Sequence, residues 1–292
     1  MKKKFKRIGI YLRPKLDHKL RSTVKVLSDW LSNRKLQIEY LNYDCDGSLP
    51  KNYIDTESLS VKEIDLIICL GGDGTLISLF RKLYSGSPPV FGVNLGNLGF
   101  TTEFSKNYLF EDLSKCLKSE YDTKSVQLYK AMIKNKKGIK LYEKNFVNDA
   151  VFSKKDISRI ISLSLEADGS HIYNLRGDGL IVSTPLGSTA YSLAANGPII
   201  YPEVQSLVVT PICPHSLTHR PIVLPNNFSL KIEIEKNQTS PILTLDGQSF
   251  TTIQPGQYTE ITKASRGKIE VIMNPEKEYF HTLKTKFTLG RK

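Results

Sequence analysis

Apolar positions change their rhythm along this chain, and the change divides it. Ile8-Gly9-Ile10-Tyr11-Leu12 is a short run without alternation, the mark of a strand covered on both faces, and Arg13-Pro14 turns the chain after it. Leu20, Val24, Leu27 and Leu31 recur three or four apart and predict a helix with one apolar face. Leu36 to Leu41 alternates like a strand. After a polar loop, Asp65-Leu66-Ile67-Ile68-Cys69-Leu70 predicts a second buried strand, and Leu76, Ile77, Phe80, Leu83 and Tyr84 a second helix. Ser85-Gly86-Ser87-Pro88-Pro89 is a breaker. Val90-Phe91-Gly92-Val93 is another short buried strand, and Asn94 to Phe100 a glycine-rich loop. Strands alternating with helices predict a doubly wound, Rossmann-like α/β domain, placed at 1–104.

After about Lys124 the segments become short and β-rich. Val126–Ile133, Ile139–Tyr142, Val147–Ser153, Ile160–Ala167, Leu180–Val182, Ser206–Val209, Ile222–Leu224, Ser229–Ile234, Ile242–Leu245 and Ile269–Met273 read as strands joined by turns. Such spacing predicts a β-sandwich-like domain, placed at 105–275. Phe280, Leu283, Phe287 and Leu289 give the tail, 276–292, spaced apolar residues with which to dock back on the body.

Chemistry concentrates at Gly71-Gly72-Asp73-Gly74-Thr75, between a buried strand and a helix. Open α/β sheets bind ligands at the carboxyl ends of their strands. Glycines there let a phosphate approach the backbone, and a helix start offers N–H groups to an anion. Asp73 is then an acid aimed at whatever the loop holds, which points to a phosphotransferase. The plainer alternative is that Asp73 only caps its helix.

Three further segments carry polar groups in suggestive places. Arg176-Gly177-Asp178-Gly179 leads through a strand to Thr184-Pro185-Leu186-Gly187-Ser188-Thr189-Ala190-Tyr191-Ser192, a second small-residue loop feeding a helix. Ser188 is the expected N-cap, and Asn196-Gly197-Pro198 the stop. Asn148-Asp149 sets an amide beside a carboxylate, a pair able to grip two vicinal hydroxyls, or an ordinary strand-edge turn. Asp246-Gly247-Gln248 reads first as a hairpin turn. His18, His171, His215, His219 and His281 show no metal-ligand spacing.

Composition narrows the classes without choosing among them. The chain has 292 residues, 40% of them hydrophobic, and a formal net charge of +12. Its basic residues are scattered, apart from Lys2-Lys3-Lys4, so phosphate-bearing nucleotides account for the sign as well as nucleic acid does. No apolar run approaches the length of a membrane-spanning helix. Cys45, Cys69, Cys116 and Cys213 form no paired motif and suit a reducing, cytoplasmic setting. Ile8 to Leu12 is too short to be the core of a signal peptide.

In this order the motifs resemble those of the NAD kinases. Gly71 to Thr75 matches that family's GGDGT, and Gly92 to Phe100 with Thr101-Thr102-Glu103 is similar to its GVNxGxLGFLTE stretch. Phe146-Val147-Asn148-Asp149 resembles its N-[DE] motif, and Asp178 to Ser192 its DGxIVSTPxGSTAYS. Thr210 to Leu217 and Asp246-Gly247-Gln248 complete the set. Ser78 and Asn97 stand where basic residues are frequent in the family. The resemblance implies two domains with the site in the cleft between them, and a homo-oligomer, dimer or tetramer. It implies transfer of the terminal phosphoryl of ATP, or of another nucleotide or polyphosphate, to the 2′-hydroxyl of NAD's adenosine ribose, with a divalent cation, Mg²⁺, on the donor. Asp73 is the implied proton acceptor. Gly71, Gly72, Gly74, Thr75, Asn148, Asp149, Arg159, Arg176, Asp178, Thr189, Ala190, Tyr191, Ser192 and Gln248 are the implied binding residues. A lipid kinase sharing the glycine loop and a catalytically silent dinucleotide binder are the competing readings.

Overall fold

The computed structural model describes residues 5–12, 18–41, 53–54, 63–96, 99–155, 160–216, 218–235 and 240–287. Lys2-Lys3-Lys4, Arg13-Pro14, Cys45, Asn97, Arg159, Leu217 and Leu289 lie outside the described residues. The chain divides into two compact units, Met1–Val126 with Lys268–Lys292, and Gln127–Gly267.

The first unit opens with β1 (Arg7–Leu12), α1 (His18–Ser32), β2 (Gln37–Leu41), β3 (Tyr53–Ile54), β4 (Leu66–Gly71), α2 (Asp73–Phe80), β5 (Val90–Asn94), β6 (Phe104–Ser105) and α3 (Leu109–Leu117). Its strands pair in parallel in the order β3-β2-β1-β4-β5. Every residue of β4 and β5 is buried, which is why neither run alternates in sequence. α1 buries Leu20, Val24, Leu27 and Leu31, the three-to-four spacing of its apolar face. The strand order reverses between β1 and β4, so the carboxyl end of β4, Gly71, lies at a topological switch point.

The second unit contains β7 (Thr123–Asn135, its start in the first unit), β8 (Lys140–Phe146), β9 (Asp149–Ser153), β10 (Ile161–Ala167), β11 (Ser170–Gly177) and β12 (Gly179–Ser183). It continues through α4 (Tyr191–Ala194), β13 (Ser206–Ile212), β14 (Ile222–Pro225), β15 (Leu230–Ile234), β16 (Ile242–Leu245), β17 (Ser249–Thr252) and most of β18 (Gln257–Ile272). One sheet is antiparallel in the order β14-β13-β12-β9-β16-β17. The other runs β11-β10-β15-β18, with β7 beside β18 and β8 beside β7. Alternate residues of the two sheets meet in one core: Phe152, Val182, Val209 and Leu243 from the first, Leu163, Ile232, Ile261 and Ala131 from the second. This is a β-sandwich.

The chain then returns to the first unit. Val271 pairs beside Val90, Ile272 enters the core of Leu66, Ile68 and Phe91, and α5 (Tyr279–Phe287) follows. The first unit therefore runs past residue 104. Leu109, Leu113 and Cys116 of α3 share that same core, and the unit ends at Val126 inside β7.

Candidate active site

Asp73 is the first residue of α2, and it does not cap that helix: Gly72 is the N-cap, with no side-chain hydrogen bond. The carboxylate instead reaches the loop after β5. Its Oδ2 accepts the Phe100 N–H at 2.8 Å, and its Oδ1 accepts the N–H groups of Thr101 at 3.1 Å and Thr102 at 3.0 Å. The Thr102 hydroxyl adds a fourth bond to Oδ1, at 3.1 Å. A carboxylate oxygen has room for about two donors. Oδ1 is saturated, while Oδ2 holds one donor among the described residues and keeps a lone pair for a hydroxyl.

The glycines around Asp73 have different jobs. A Cβ on Gly71 would strike the Thr75 side chain, 2.8 Å from its Cγ2. Gly72 and Gly74 would meet nothing within 4 Å, so their missing side chains leave room that no protein atom fills. That is the arrangement a ligand lying against backbone needs. A Cβ on buried Gly99 would lie 2.8 Å from Asp73 Cγ, and closer still to its Oδ1. The loop can approach the acid only because residue 99 is glycine. Ser78, where a charge is frequent in the family, accepts or donates a hydrogen bond to the buried Tyr11 hydroxyl at 3.1 Å.

The second unit gathers its polar groups at one end of the β13-β12-β9-β16 sheet. Asp246 and Gly247, both at positive φ (53° and 63°), form the β16–β17 hairpin turn closed by Gln248 N–H to Leu245 carbonyl at 3.0 Å. The turn has a second role. The Asp246 carboxylate accepts the N–H groups of Val147 (3.0 Å), Asn148 (2.7 Å) and Asp149 (3.2 Å). The Asn148 carbonyl accepts Thr184 N–H at 2.8 Å, and Gly187 packs so closely that a Cβ would lie 2.7 Å from Asn148 Cα. Asn148, Asp149, the Thr184–Ala190 segment and the Asp246–Gln248 turn thus form one cluster.

Two features of this cluster are chemically unusual. Asn148 Oδ1 is buried and accepts no hydrogen bond among the described residues. An orphaned buried acceptor costs about 1–3 kcal/mol, which a bound donor would recover. Beside it, burial first and the Asp246 carboxylate second push the Asp149 carboxyl up to about 7. Near neutral pH a carboxyl in that range can donate as well as accept, which suits a sugar hydroxyl.

The small-residue loop differs from its sequence pattern. Ser188 is not an N-cap: it is fully buried in a 3-10 turn, accepting Ile200 N–H at 3.0 Å and donating to the Pro185 carbonyl at 2.6 Å. The need of the Ile200 N–H for a partner draws the hydroxyl inward, and α4 starts after Ala190. That helix stops where the sequence predicts, with Asn196 at φ 66° as its left-handed residue. Gly197 N–H reaches Ser192 carbonyl and Asn196 N–H reaches Leu193 carbonyl, a Schellman closure. Ser192 is buried with its hydroxyl 2.9 Å from Thr210 Oγ1, so it supports the turn from within. Tyr191 is exposed, and Thr189 and Ala190 are half-buried, open to a ligand.

Arg176 and Asp178 do not join the cluster. They flank the start of β12, where Gly179 pairs with Ser153, while Ser183 at the other end pairs with Asp149. A five-residue strand spans roughly 16 Å. Asp178 forms an ion pair with Lys154 at 2.7 Å, and exposed Arg176 holds the His215 N–H with its carbonyl at 2.8 Å. Sequence reasoning also passed over the backbone donors of Phe100 to Thr102 and the clamp at Asp246. Backbone N–H groups leave no mark in a side-chain pattern.

Known proteins resemble the chain over nearly its full length. Residues 5–121 match the ATP-NAD kinase N-terminal domain, and 147–273 the ATP-NAD kinase C-terminal domain. The NAD kinase of Syntrophotalea carbinolica is 39% identical over 295 aligned positions, covering 98% of this chain and all of that one. The NAD kinase of Geotalea daltonii is 40% identical, over 79% of this chain and 81% of its own. Among solved structures, yeast NADH kinase complexed with NADH superposes with a TM-score of 0.87 at 22% identity, over 100% of this chain and 89% of that one. An NAD kinase from Archaeoglobus fulgidus in complex with ATP gives 0.73 at 23%, over 97% and 98%. At those identities the two structures speak for the fold.

Proposed function

The chain belongs to the ATP-NAD kinase family, and on that premise we propose how its own residues carry the reaction. It is an NAD kinase, a phosphotransferase that makes NADP by phosphorylating the 2′-hydroxyl of the adenosine ribose. ATP and NAD are its substrates. The lipid-kinase and silent-binder readings lose their ground, because both domain matches and the full-length relatives carry the NAD kinase description.

The observation that carries the assignment of roles is the lopsided coordination of Asp73. Three donors saturate Oδ1, while Oδ2 keeps capacity for a hydroxyl at the switch point of a parallel sheet. A ribose hydroxyl is a weak acid and a carboxylate a weak base, so Asp73 orients the hydroxyl and takes its proton late, as bonding to phosphorus develops. Positioning supplies most of the rate. Gly72 and Gly74 leave space for phosphates against the backbone, with Gly71 and Thr75 holding the turn. Asn148 Oδ1 and the Asp149 carboxyl take dinucleotide hydroxyls or amines, with Thr189, Ala190, Tyr191 and Gln248 around them. Ser192 acts through the turn it holds, while Arg176 and Asp178, at the opposite end of β12 from this cluster, and Arg159 are proposed contacts on the strength of the family resemblance alone.

Among the described residues no three His, Cys, Asp or Glu side chains come together as a cation site. We take Mg²⁺ to arrive on the donor phosphates, as part of the nucleotide substrate. Free Cys69, Cys116 and Cys213 support a cytoplasmic setting, and no helix among the described residues is long and apolar enough to cross a membrane. We take the protein to be a homo-oligomer, as the family resemblance implies, which light scattering would test.

The deciding experiment is NADP formation by the wild-type protein and Asp73→Asn, with ATP and with polyphosphate as donor. The amide must turn its NH₂ away from the three donors on Oδ1, toward the Phe100 N–H. Turnover should fall at least about a hundredfold while NAD still binds. Near-normal NADP production by the variant would remove Asp73 from the chemistry.

A further inference from the structure

The loop that clamps Asp73 is itself held from its other side. Its N–H groups face the carboxylate, and its carbonyls face a buried ammonium. Lys277 Nζ donates to the Phe100 carbonyl at 2.9 Å and to the Thr102 carbonyl at 2.8 Å. The Phe100 carbonyl and the Thr101 N–H belong to one peptide group, so a single planar unit links Lys277 to Asp73. The Lys277 side chain is only 10% exposed, and the buried Glu103 carboxylate lies 3.6 Å from its ammonium. Lys124 caps the same carboxylate, and Asn274 donates to the Glu103 carbonyl at 3.3 Å. The Phe100 ring lies among Tyr279 and Phe287 of α5, 6.4 and 5.6 Å between centroids, with Lys286 5.8 Å from it.

We infer that Lys277 is a positioning residue for phosphoryl transfer: its ammonium fixes the Phe100–Thr102 carbonyls and thereby sets where the opposite edge of that loop holds the Asp73 carboxylate. This rests on the kinase reading above. Lys277 lies far along the chain from the glycine loop, in a turn with no motif. A lysine buried merely for packing would keep its ammonium in water. Here burial is accepted, and the cation is spent on two carbonyls of the loop that touches the acid. A positive charge on the carbonyl side and a negative one on the N–H side polarise the same peptide group and stiffen it.

The inference is tested with the full-length protein, comparing wild type, Lys277→Met and Lys277→Arg. Each is assayed for NADP formation across pH, and for NAD binding by calorimetry. Lys277→Met should lose about tenfold to a hundredfold in kcat, because a misplaced catalytic group acts on the transition state. Its KM and binding constant for NAD should stay within about threefold of wild type. Lys277→Arg should restore most of the turnover.

The alkaline side of the profile gives a second readout. Burial lowers the Lys277 pKa, as does Lys124, while the facing Glu103 and Asp73 carboxylates raise it, and burial is the larger effect. Wild type should therefore lose turnover at a pH below the ordinary lysine range, and Lys277→Arg, which stays charged, should keep it. If Lys277→Met does not fold, this comparison of wild type with Lys277→Arg decides alone. A Lys277→Met enzyme within twofold of wild type, or alkaline limbs that coincide, would overturn the role of Lys277. Absence of NADP formation by the wild-type protein would instead overturn the kinase reading itself.

Discussion

Replacing Gly99 by alanine is the most economical test of whether the Asp73 geometry matters, because it removes no reactive group. The added Cβ would lie 2.8 Å from Asp73 Cγ, against a comfortable carbon–carbon separation of about 3.5–4.0 Å. Relief requires a shift of about 1 Å, and the choice is narrow. Thr101 and Thr102 bind the same carboxylate oxygen, so moving the loop stretches those bonds, and moving the carboxylate misplaces the proton acceptor. A displacement of that size costs about a hundredfold in rate. Overpacking costs about 1–3 kcal/mol of stability, against a typical total of about 5–15 kcal/mol, so the variant remains overwhelmingly folded. The assay is NADP formation coupled to an NADP-specific dehydrogenase, with a thermal melt on the same sample. A fall in kcat of about two orders of magnitude with a modest fall in Tm is expected. A Gly99→Ala enzyme within threefold of wild type would refute the claim that this loop positions the acid.

Two further outcomes follow from the same geometry. Gly74→Ala puts a methyl into space that no protein atom occupies, in the first turn of α2. It should raise stability by up to about 1 kcal/mol through helix propensity and weaken nucleotide binding severalfold, read by urea denaturation and by KM for both substrates. Asp149, held at about 7 against about 3.9 unfolded, makes stability pH-dependent. Its folded-state value is raised, so its contribution is complete below the unfolded value and is lost as pH rises through about 7. That difference corresponds to at most about 4 kcal/mol, and Asp149→Asn should flatten the decline in urea midpoint between about pH 4 and about pH 7.

How much of this was legible in the sequence depended on burial. β4 and β5 are covered on both faces and announced themselves as unbroken apolar runs. β11 and β17 went unread because they are edge strands: β11 alternates weakly among polar residues, and Phe250 of β17 is exposed. The part of β18 before Ile269 carries Gln257, Glu260, Thr262, Lys263, Ser265 and Arg266 in half-buried or exposed positions, and so hides most of a 16-residue strand behind a polar sequence. α3 was readable from Leu109, Leu113 and Cys116 and was passed over. At the site, Asp73 stood out because glycines frame it. Ser188 misled, since a serine ahead of a small-residue helix start looks like a cap whether its hydroxyl faces the helix or the Ile200 N–H.

What sequence could not carry is a device the molecule uses twice. Asp73 accepts the consecutive N–H groups of residues 100, 101 and 102, and Asp246 accepts those of 147, 148 and 149. In both places an acid organises a loop from a distance along the chain through backbone N–H groups, with the Thr102 hydroxyl as an added side-chain donor. The two acids nevertheless divide the labour. Asp246 sits at a hairpin tip and spends its carboxylate on the backbone of Asn148 and Asp149, while its charge adds to burial, the larger cause, in raising the Asp149 carboxyl. Asp73 sits at the carboxyl end of a buried parallel strand and leaves one oxygen only half engaged. Among the described residues both acids load Oδ1 with three donors and Oδ2 with one, so place separates them: Asp73 stands at a switch point against the glycine loop, where an acid can also take a proton, and Asp246 at a hairpin tip, where it builds a site. By that criterion the removal of Asp246 should disturb binding of the dinucleotide first, and the removal of Asp73 its turnover.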